Sequence, residues 1–267
     1  MLPFQDKSAV VLGASSRGGS GWETAKLLAE QGARVTAGAR NMAGVKELAG
    51  ITGGLAVRCD AAIEAEVEAM AEAAFAAYGP IDLAIMAAGV PFVGMIDEID
   101  PADVQRALDI NYFGPFFFIK HMARRMRDGG AMVVITSTAA AMPVPGYSSY
   151  ACAKDAARVL VEHAALEYAP RDIRINAVQA GFIDSPMSAI LLEHEVARKA
   201  MLKEIPLGRP VTARQIGAAC LWLCHPDAAV TGETLSVDNG NHLRRNVQPE
   251  ELPYDVMAAN ADASSKK

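Results

Sequence analysis

The stretch SAVVLGASSRGGSGWETA (residues 8–25) carries an apolar run into a helical pattern through a cluster of glycines. SAVVLGA (8–14) reads as a strand, and Trp22, Ala25, Leu28 and Ala29 fall on one face of a helix from about Gly21 to Gln31. Glycines at such a junction allow a tight turn and let the backbone approach a pyrophosphate at the helix N-terminus. Alone, a glycine-rich turn is weak evidence. Its place after the first strand of an alternating chain makes it strong. The loop residues that would line such a site are Gly13, Ser15, Ser16, Arg17, Gly19, Ser20 and Gly21.

Beyond this junction the alternation continues. Further strands are expected at 33–39, 54–60, 81–89, 131–137, 174–181 and 233–238. The runs IDLAIMAAG (81–89) and AMVVITS (131–137) are apolar apart from Asp82, Thr136 and Ser137, as in strands covered on both faces. Helical patterns occupy 63–77, 101–127, 149–169, a variable stretch near 187–203, and 212–225. The expectation is a single α/β domain over 1–243, a doubly wound, seven-stranded parallel sheet with helices on both faces. Residues 185–205 would form a substrate lid, and 244–267 a polar tail with a mobile end.

Bulk properties narrow the function. The chain has 267 residues, 51% hydrophobic and 21% charged, enough for one large core. A net charge of −6 disfavours nucleic acid or anionic membrane as a partner. No apolar run approaches the ~20 residues of a membrane span, and the N-terminus lacks the pattern of a signal peptide. Cys59, Cys152, Cys220 and Cys224 form no disulfide framework, which suits a reducing cytoplasm. Cys220 and Cys224 adjoin His225, but no further ligands cluster there, so no metal site is expected.

The second strand ends AGARN, with Ala39 and Arg40 where an acid would bind the ribose hydroxyls of NAD. A small neutral residue beside a guanidinium suits a 2′-phosphate instead, and Arg17 would complete the clamp. NADP(H) is therefore favoured over NAD(H), although Arg40 as a solvated loop cation is the plainer alternative.

Tyr150 and Lys154, in YACAK, lie on one helix face, and Ser137 precedes the tyrosine by thirteen residues. An ammonium beside a phenol favours the phenolate and is expected to lower the tyrosine pKa. Such a phenol exchanges a proton with a carbonyl or alcohol oxygen.

With these parts in order, the sequence resembles the short-chain dehydrogenase/reductase family in its main single-domain branch, over roughly residues 7–242. The resemblance rests on the glycine loop, CD (59–60), AAG (87–89), DINYFGPFF (109–117), ITSTAA (135–140), YACAK (150–154), INAVQAG (175–181) and VDNG (237–240). It implies a Rossmann-type fold with Tyr150 as catalytic acid/base and Ser137 holding the substrate oxygen. Lys154 would bond the nicotinamide ribose, and Asn111 would order a proton-relaying water. Asp60, with Ala61 beside it, would meet the adenine amino group, Ala88 and Gly89 the cofactor, and the backbone at Ile183 the carboxamide. It also implies a homotetramer built through the helices at 101–127 and 149–169 and the last strand.

Several positions depart from the family pattern. Five residues separate Gly13 from Gly19, two more than usual, a loop similar to that of bacterial enoyl-acyl-carrier-protein reductases. Those enzymes space tyrosine and lysine seven apart, whereas here the separation is four. Met86 and Ala87 replace two asparagines, Ala180 stands for a proline, and Ser185 for a threonine. The loops 139–149 and 182–201 would select the substrate, and their apolar Met187, Ile190, Leu191 and Leu192 suit a hydrophobic carbonyl compound. The expected activity is NADPH-dependent reduction of a ketone, 3-oxoacyl-like or another hydrophobic carbonyl, to a secondary alcohol. The rivals are an NAD(P)-dependent alcohol or dihydrodiol dehydrogenase and a non-catalytic dinucleotide sensor.

Overall fold

A computed structural model describes residues 2–186 and 188–253. Met187 and the ANADASSKK end of the tail lie outside the described residues. Seven parallel strands form one sheet: β1 (Ser8–Leu12), β2 (Arg34–Ala39), β3 (Leu55–Arg58), β4 (Ile81–Met86), β5 (Met126–Ser137), β6 (Arg174–Ala180) and β9 (Thr234–Val237). Their spatial order is β3-β2-β1-β4-β5-β6-β9. The order reverses between β1 and β4, where open sheets of this kind leave a crevice at their carboxyl ends. A two-stranded sheet, β7 (Ile183–Asp184) with β8 (Val211–Thr212), was not foreseen from sequence.

Strand β1 shows why both faces are covered. Ala9 and Val11 join a core with Trp22, Leu28, Leu48 and Ile216, while Val10 and Leu12 join another with Met70, Phe118, Met132 and Val161. Successive side chains of a strand point to opposite faces, so an unbroken apolar run requires helices on both. On one side lie α1 (Ser20–Glu30), α2 (Met42–Thr52) and α9 (Ala213–Cys224); on the other α3 (Glu64–Tyr78), α5 (Gly114–Arg125) and α6 (Ser148–Tyr168). Cys220 and Cys224 lie in the first of these cores, and burial pushes both thiols up, as expected of inert core cysteines.

Three local features differ from the sequence expectation. Helix α2 had no place in it, although Asn41 caps its start through a bond from the Gly44 N–H and Gly53 ends it at φ +67°. The stretch 101–127 is two helices, α4 (Pro101–Leu108) and α5, joined by a π-helical turn at Asp109–Phe113. Pro115 supplies no N–H for the carbonyl four residues back, and Asn111 inserts its own amide toward the Ala107 carbonyl at 3.0 Å. Finally, residues 244–253 are not a free tail: Val247 is buried, and Asn246 bonds Met142. The segment expected to act as a lid, 185–205, contains α7 (Ala189–Glu193) and α8 (Glu195–Lys203).

Candidate active site

Most site candidates gather at the carboxyl edge of the sheet because each follows a strand. Gly13 and Arg40 follow β1 and β2, Asp60 lies just beyond β3, Ala88 and Gly89 follow β4, and Ser137 ends β5. Tyr150 and Lys154 face this edge from the first turns of α6.

The Ser137 hydroxyl accepts from the Ala139 N–H at 3.2 Å and lies close enough to the Tyr150 phenol to act on its pKa. It therefore closes the turn after β5 and meets the phenol. Tyr150 is half-buried, with the Tyr147 ring edge-on at 6.3 Å between centroids. Burial pushes the phenol up to about 12, the Ser137 hydroxyl pulls it down, and Tyr147 adds a smaller upward push. Lys154 is 4% exposed, and burial lowers its ammonium to about 8. Its Nζ donates to the Ile135 carbonyl at 3.0 Å and lies 5.8 Å from the Tyr150 ring centroid. The expectation that Lys154 depresses the tyrosine is thus corrected: desolvation dominates both groups, and the ammonium is held by a backbone carbonyl.

Asn111 is fully buried in the π turn. Its Oδ1 accepts from the Val90 N–H at 3.2 Å, and its Nδ2 donates to the carbonyls of Val90 at 2.9 Å and Ala107 at 3.0 Å. A Cβ on Gly89 would lie 2.7 Å from Lys154 Nζ and 3.0 Å from Asn111 Oδ1, so all three crowd one spot. The resemblance linked Asn111 to Lys154 through a proton-relaying water; in the structure both side chains lie against Gly89, Asn111 from the π turn and Lys154 from α6.

The glycine turn fits a dinucleotide. Gly13 has φ +95°, and a Cβ there would strike the Ala88 backbone at 2.4 Å, while one on Gly21 would strike the Gly13 carbonyl at 2.4 Å. Such a cradle admits only glycine and leaves the start of α1, capped by Gly19 without a side-chain bond, open to an anion. Ser15, Ser16 and Ser20 lie within or bound this turn. Asp60 accepts from the Ala62 N–H at 3.1 Å, closing a turn ahead of α3 rather than capping the helix, whose cap is Ile63. Ala61 is buried against Gly114. The carbonyl of Ile183 accepts from the Ser188 hydroxyl of the lid.

The two candidate phosphate ligands differ. Arg40 is exposed just beyond β2. Arg17 is paired with Glu47 of α2, and its guanidinium lies 5.9 Å from the Trp22 ring centroid. Gly18 was missed: at φ +75° it is the part of the expanded loop that reaches the lid, 4.0 Å from Pro186 Cδ for an added Cβ. The first glycine of the run RGGSG was the available signal. Gly18, Asp184, Ser185, Pro186, Leu192 and Glu193 line a cavity of about 450 Å³. Among the described residues, no group of three or more histidine, cysteine or acidic side chains could hold a metal ion, and no helix is long and apolar enough to cross a membrane.

Comparisons with known proteins agree with this geometry. The family model described as enoyl-(acyl carrier protein) reductase matches residues 13–242. A cis-4-hydroxycyclohexanecarboxylate dehydrogenase of Sinomonas cyclohexanicum is 35% identical over 89% of this chain and 97% of its own. A short-chain dehydrogenase/reductase of Serratia marcescens superposes with a TM-score of 0.84 at 32% identity, covering 90% of this chain and 99% of that one. An actinorhodin polyketide ketoreductase with NADPH gives 0.82 at 29% identity, over 88% and 97%. Agreement of this extent, over nearly the whole length of each protein, marks common descent, and the chain belongs to the short-chain dehydrogenase/reductase family of oxidoreductases.

Proposed function

We propose that the protein reduces a hydrophobic ketone to a secondary alcohol with NADPH, Tyr150 giving the proton. The observation that carries this reading is the placement of Ser137, at the end of β5, beside Tyr150 in the first turn of α6, a phenol that burial pushes up to about 12. Such a phenol is fully protonated at neutral pH, the state of a proton donor. When bound, NADPH supplies the hydride to the carbonyl carbon. As charge grows on the oxygen, the hydroxyls of Ser137 and Tyr150 converge on it, and the Tyr150 proton moves to it. Lys154 and Asn111 would hold the ribose side of the site, the turn Gly13–Gly21 the pyrophosphate, and Arg40 with Arg17 the 2′-phosphate.

The matching family model is described by an enoyl reduction. The four-residue spacing of Tyr150 and Lys154 favours a carbonyl over a carbon–carbon double bond. The actinorhodin relative's printed name pairs ketoreduction with NADPH, which supports the same choice. The Sinomonas relative's name favours a second reading, oxidation of a ring alcohol. In that direction Tyr150 must first lose its proton.

A homotetramer in the cytoplasm accompanies this reading, with exposed Phe113, Phe116 and Leu166 available to pair helices between copies. Tyr150→Phe tests the function. It should cut ketone-dependent NADPH oxidation by about 10²–10⁴-fold while NADPH still binds. Undiminished turnover would sink the proposal.

A further inference from the structure

The segment from Asn241 onward crosses from the lid to the loop behind Ser137. Asn241 Nδ2 donates to the carbonyls of Glu204 at 3.0 Å and Arg245 at 3.3 Å, and Arg244 donates to the Lys203 carbonyl. The Arg245 guanidinium lies 3.1 Å from the Glu204 carboxylate and grips Glu251 through two bonds of 2.6 and 2.8 Å. Glu251 in turn accepts from the Gln248 N–H at 2.9 Å. At the other end, Asn246 Nδ2 donates to the Met142 carbonyl at 2.7 Å. Val247, 6% exposed, is the apolar anchor between them.

These partners belong to the two segments expected to select the substrate, the lid over 185–205 and the loop over 139–149. Lys203 and Glu204 finish the lid helix α8. Met142 lies five residues after Ser137, its N–H bonded to the Thr138 carbonyl at 2.8 Å. The Glu204 carboxylate is 10% exposed, so its pairing with Arg245 favours one geometry over a solvated alternative. Charge-assisted contacts from Arg244 and Arg245 to the end of α8, and a neutral hydrogen bond from Asn246 to the loop, make a strap whose length sets the distance between the two segments.

We infer that Arg245 and Asn246 are positioning residues for substrate selection: by fixing α8 against the loop at 139–147, they limit how bulky a carbonyl compound fits beside Tyr150. The inference rests on the ketoreductase reading for its substrate class. Neither residue touches the reacting atoms, so the effect should fall on KM for large substrates rather than on kcat for small ones.

The test uses Arg245→Ala and Asn246→Ala in the full-length chain, with cyclohexanone and 2-decalone as small and bulky ketones. In both variants the ratio of kcat/KM for the two ketones should shift by about five- to tenfold. The kcat for cyclohexanone and the dissociation constant of NADPH should stay as in the unmodified protein. Hydrogen exchange, read without substrate, should quicken at 139–147 and 195–204 together. An unchanged ratio in folded variants overturns the inference, and so does unchanged exchange in either segment. Arg245→Lys, which keeps the charge facing Glu204, should recover part of the selectivity; no recovery counts against the pairing. Should the unmodified protein reduce no ketone at all, the ketoreductase reading fails, and the exchange measurement alone decides the strap.

Discussion

Lys154 donates its ammonium to the Ile135 carbonyl at 3.0 Å, two residues before Ser137 on the same strand. The bond ties α6, which carries Tyr150, to the strand end that carries Ser137. A buried ammonium with a carbonyl partner is charged at a cost. The folded chain releases this proton near 8, whereas the ordinary value is 10.5. Between those limits the unfolded state binds more protons, so stability rises with pH. Below pH 8 the buried charge costs on the order of 3 kcal/mol. From pH 7.5 to 9.5 the Tm of the unmodified protein should therefore climb relative to that of Lys154→Met. Parallel melting curves would contradict the burial argument.

Turnover should follow the same group in the opposite sense. Tyr150 keeps its proton until well above pH 10, so it does not limit reduction near neutrality. If the Lys154 charge is needed, ketone reduction falls as pH rises through about 8. The oxidative reaction, which needs a deprotonated Tyr150, should still be rising there. Initial rates in both directions between pH 6 and 10 check this.

Gly89→Ala should damage the site more than the fold. The added methyl falls 2.7 Å from Lys154 Nζ, the end of a flexible side chain that can yield without moving backbone. Displacing the ammonium by about 1 Å is expected to lower kcat about a hundredfold with little change in Tm. A steady-state assay beside a thermal melt separates the two effects.

Asn111→Ala should do the reverse first. It leaves the Val90 N–H and the carbonyls of Val90 and Ala107 without their side-chain partner in a dry turn. The expected loss is about 2–5 kcal/mol, read as a lower urea midpoint. A change under half a kilocalorie would mean that the π turn holds without its asparagine.

The phosphate clamp makes a graded prediction. With Arg40 on the 2′-phosphate as proposed, Arg40→Ala should weaken NADPH about tenfold or more and leave NADH nearly unchanged. Glu47 holds Arg17 away, so Glu47→Gln should tighten NADPH by no more than about fivefold, the range of an exposed ion pair. Fluorescence titration of both cofactors decides it. Tighter NADH than NADPH binding in the unmodified protein would remove the basis of the clamp.

Much of the fold was legible because its signals are local and redundant. The apolar runs of β1, β4 and β5 each announce a strand covered on both faces, and the glycines after β1 announce the turn. Helix α2 escaped because its signals, Asn41 and Gly53, sit at its ends while its interior MAGVKELAGIT includes two glycines. The break at Asp109–Phe113 escaped because a π turn keeps helical periodicity on either side. Pro115 was the visible clue.

The order of residues by itself determined the alternation, the parallel sheet and the set Ser137, Tyr150 and Lys154, because spacing along a strand or helix fixes which side chains share a face. It could not decide the electrostatics of that set. Burial, a property of the packed chain alone, lifts Tyr150 and lowers Lys154 whatever their spacing. Nor could it show that Arg17 pairs with Glu47, or that Asn246 reaches Met142 across 104 positions. Those contacts join segments distant in the chain, and only the folded sheet sets the distance between them.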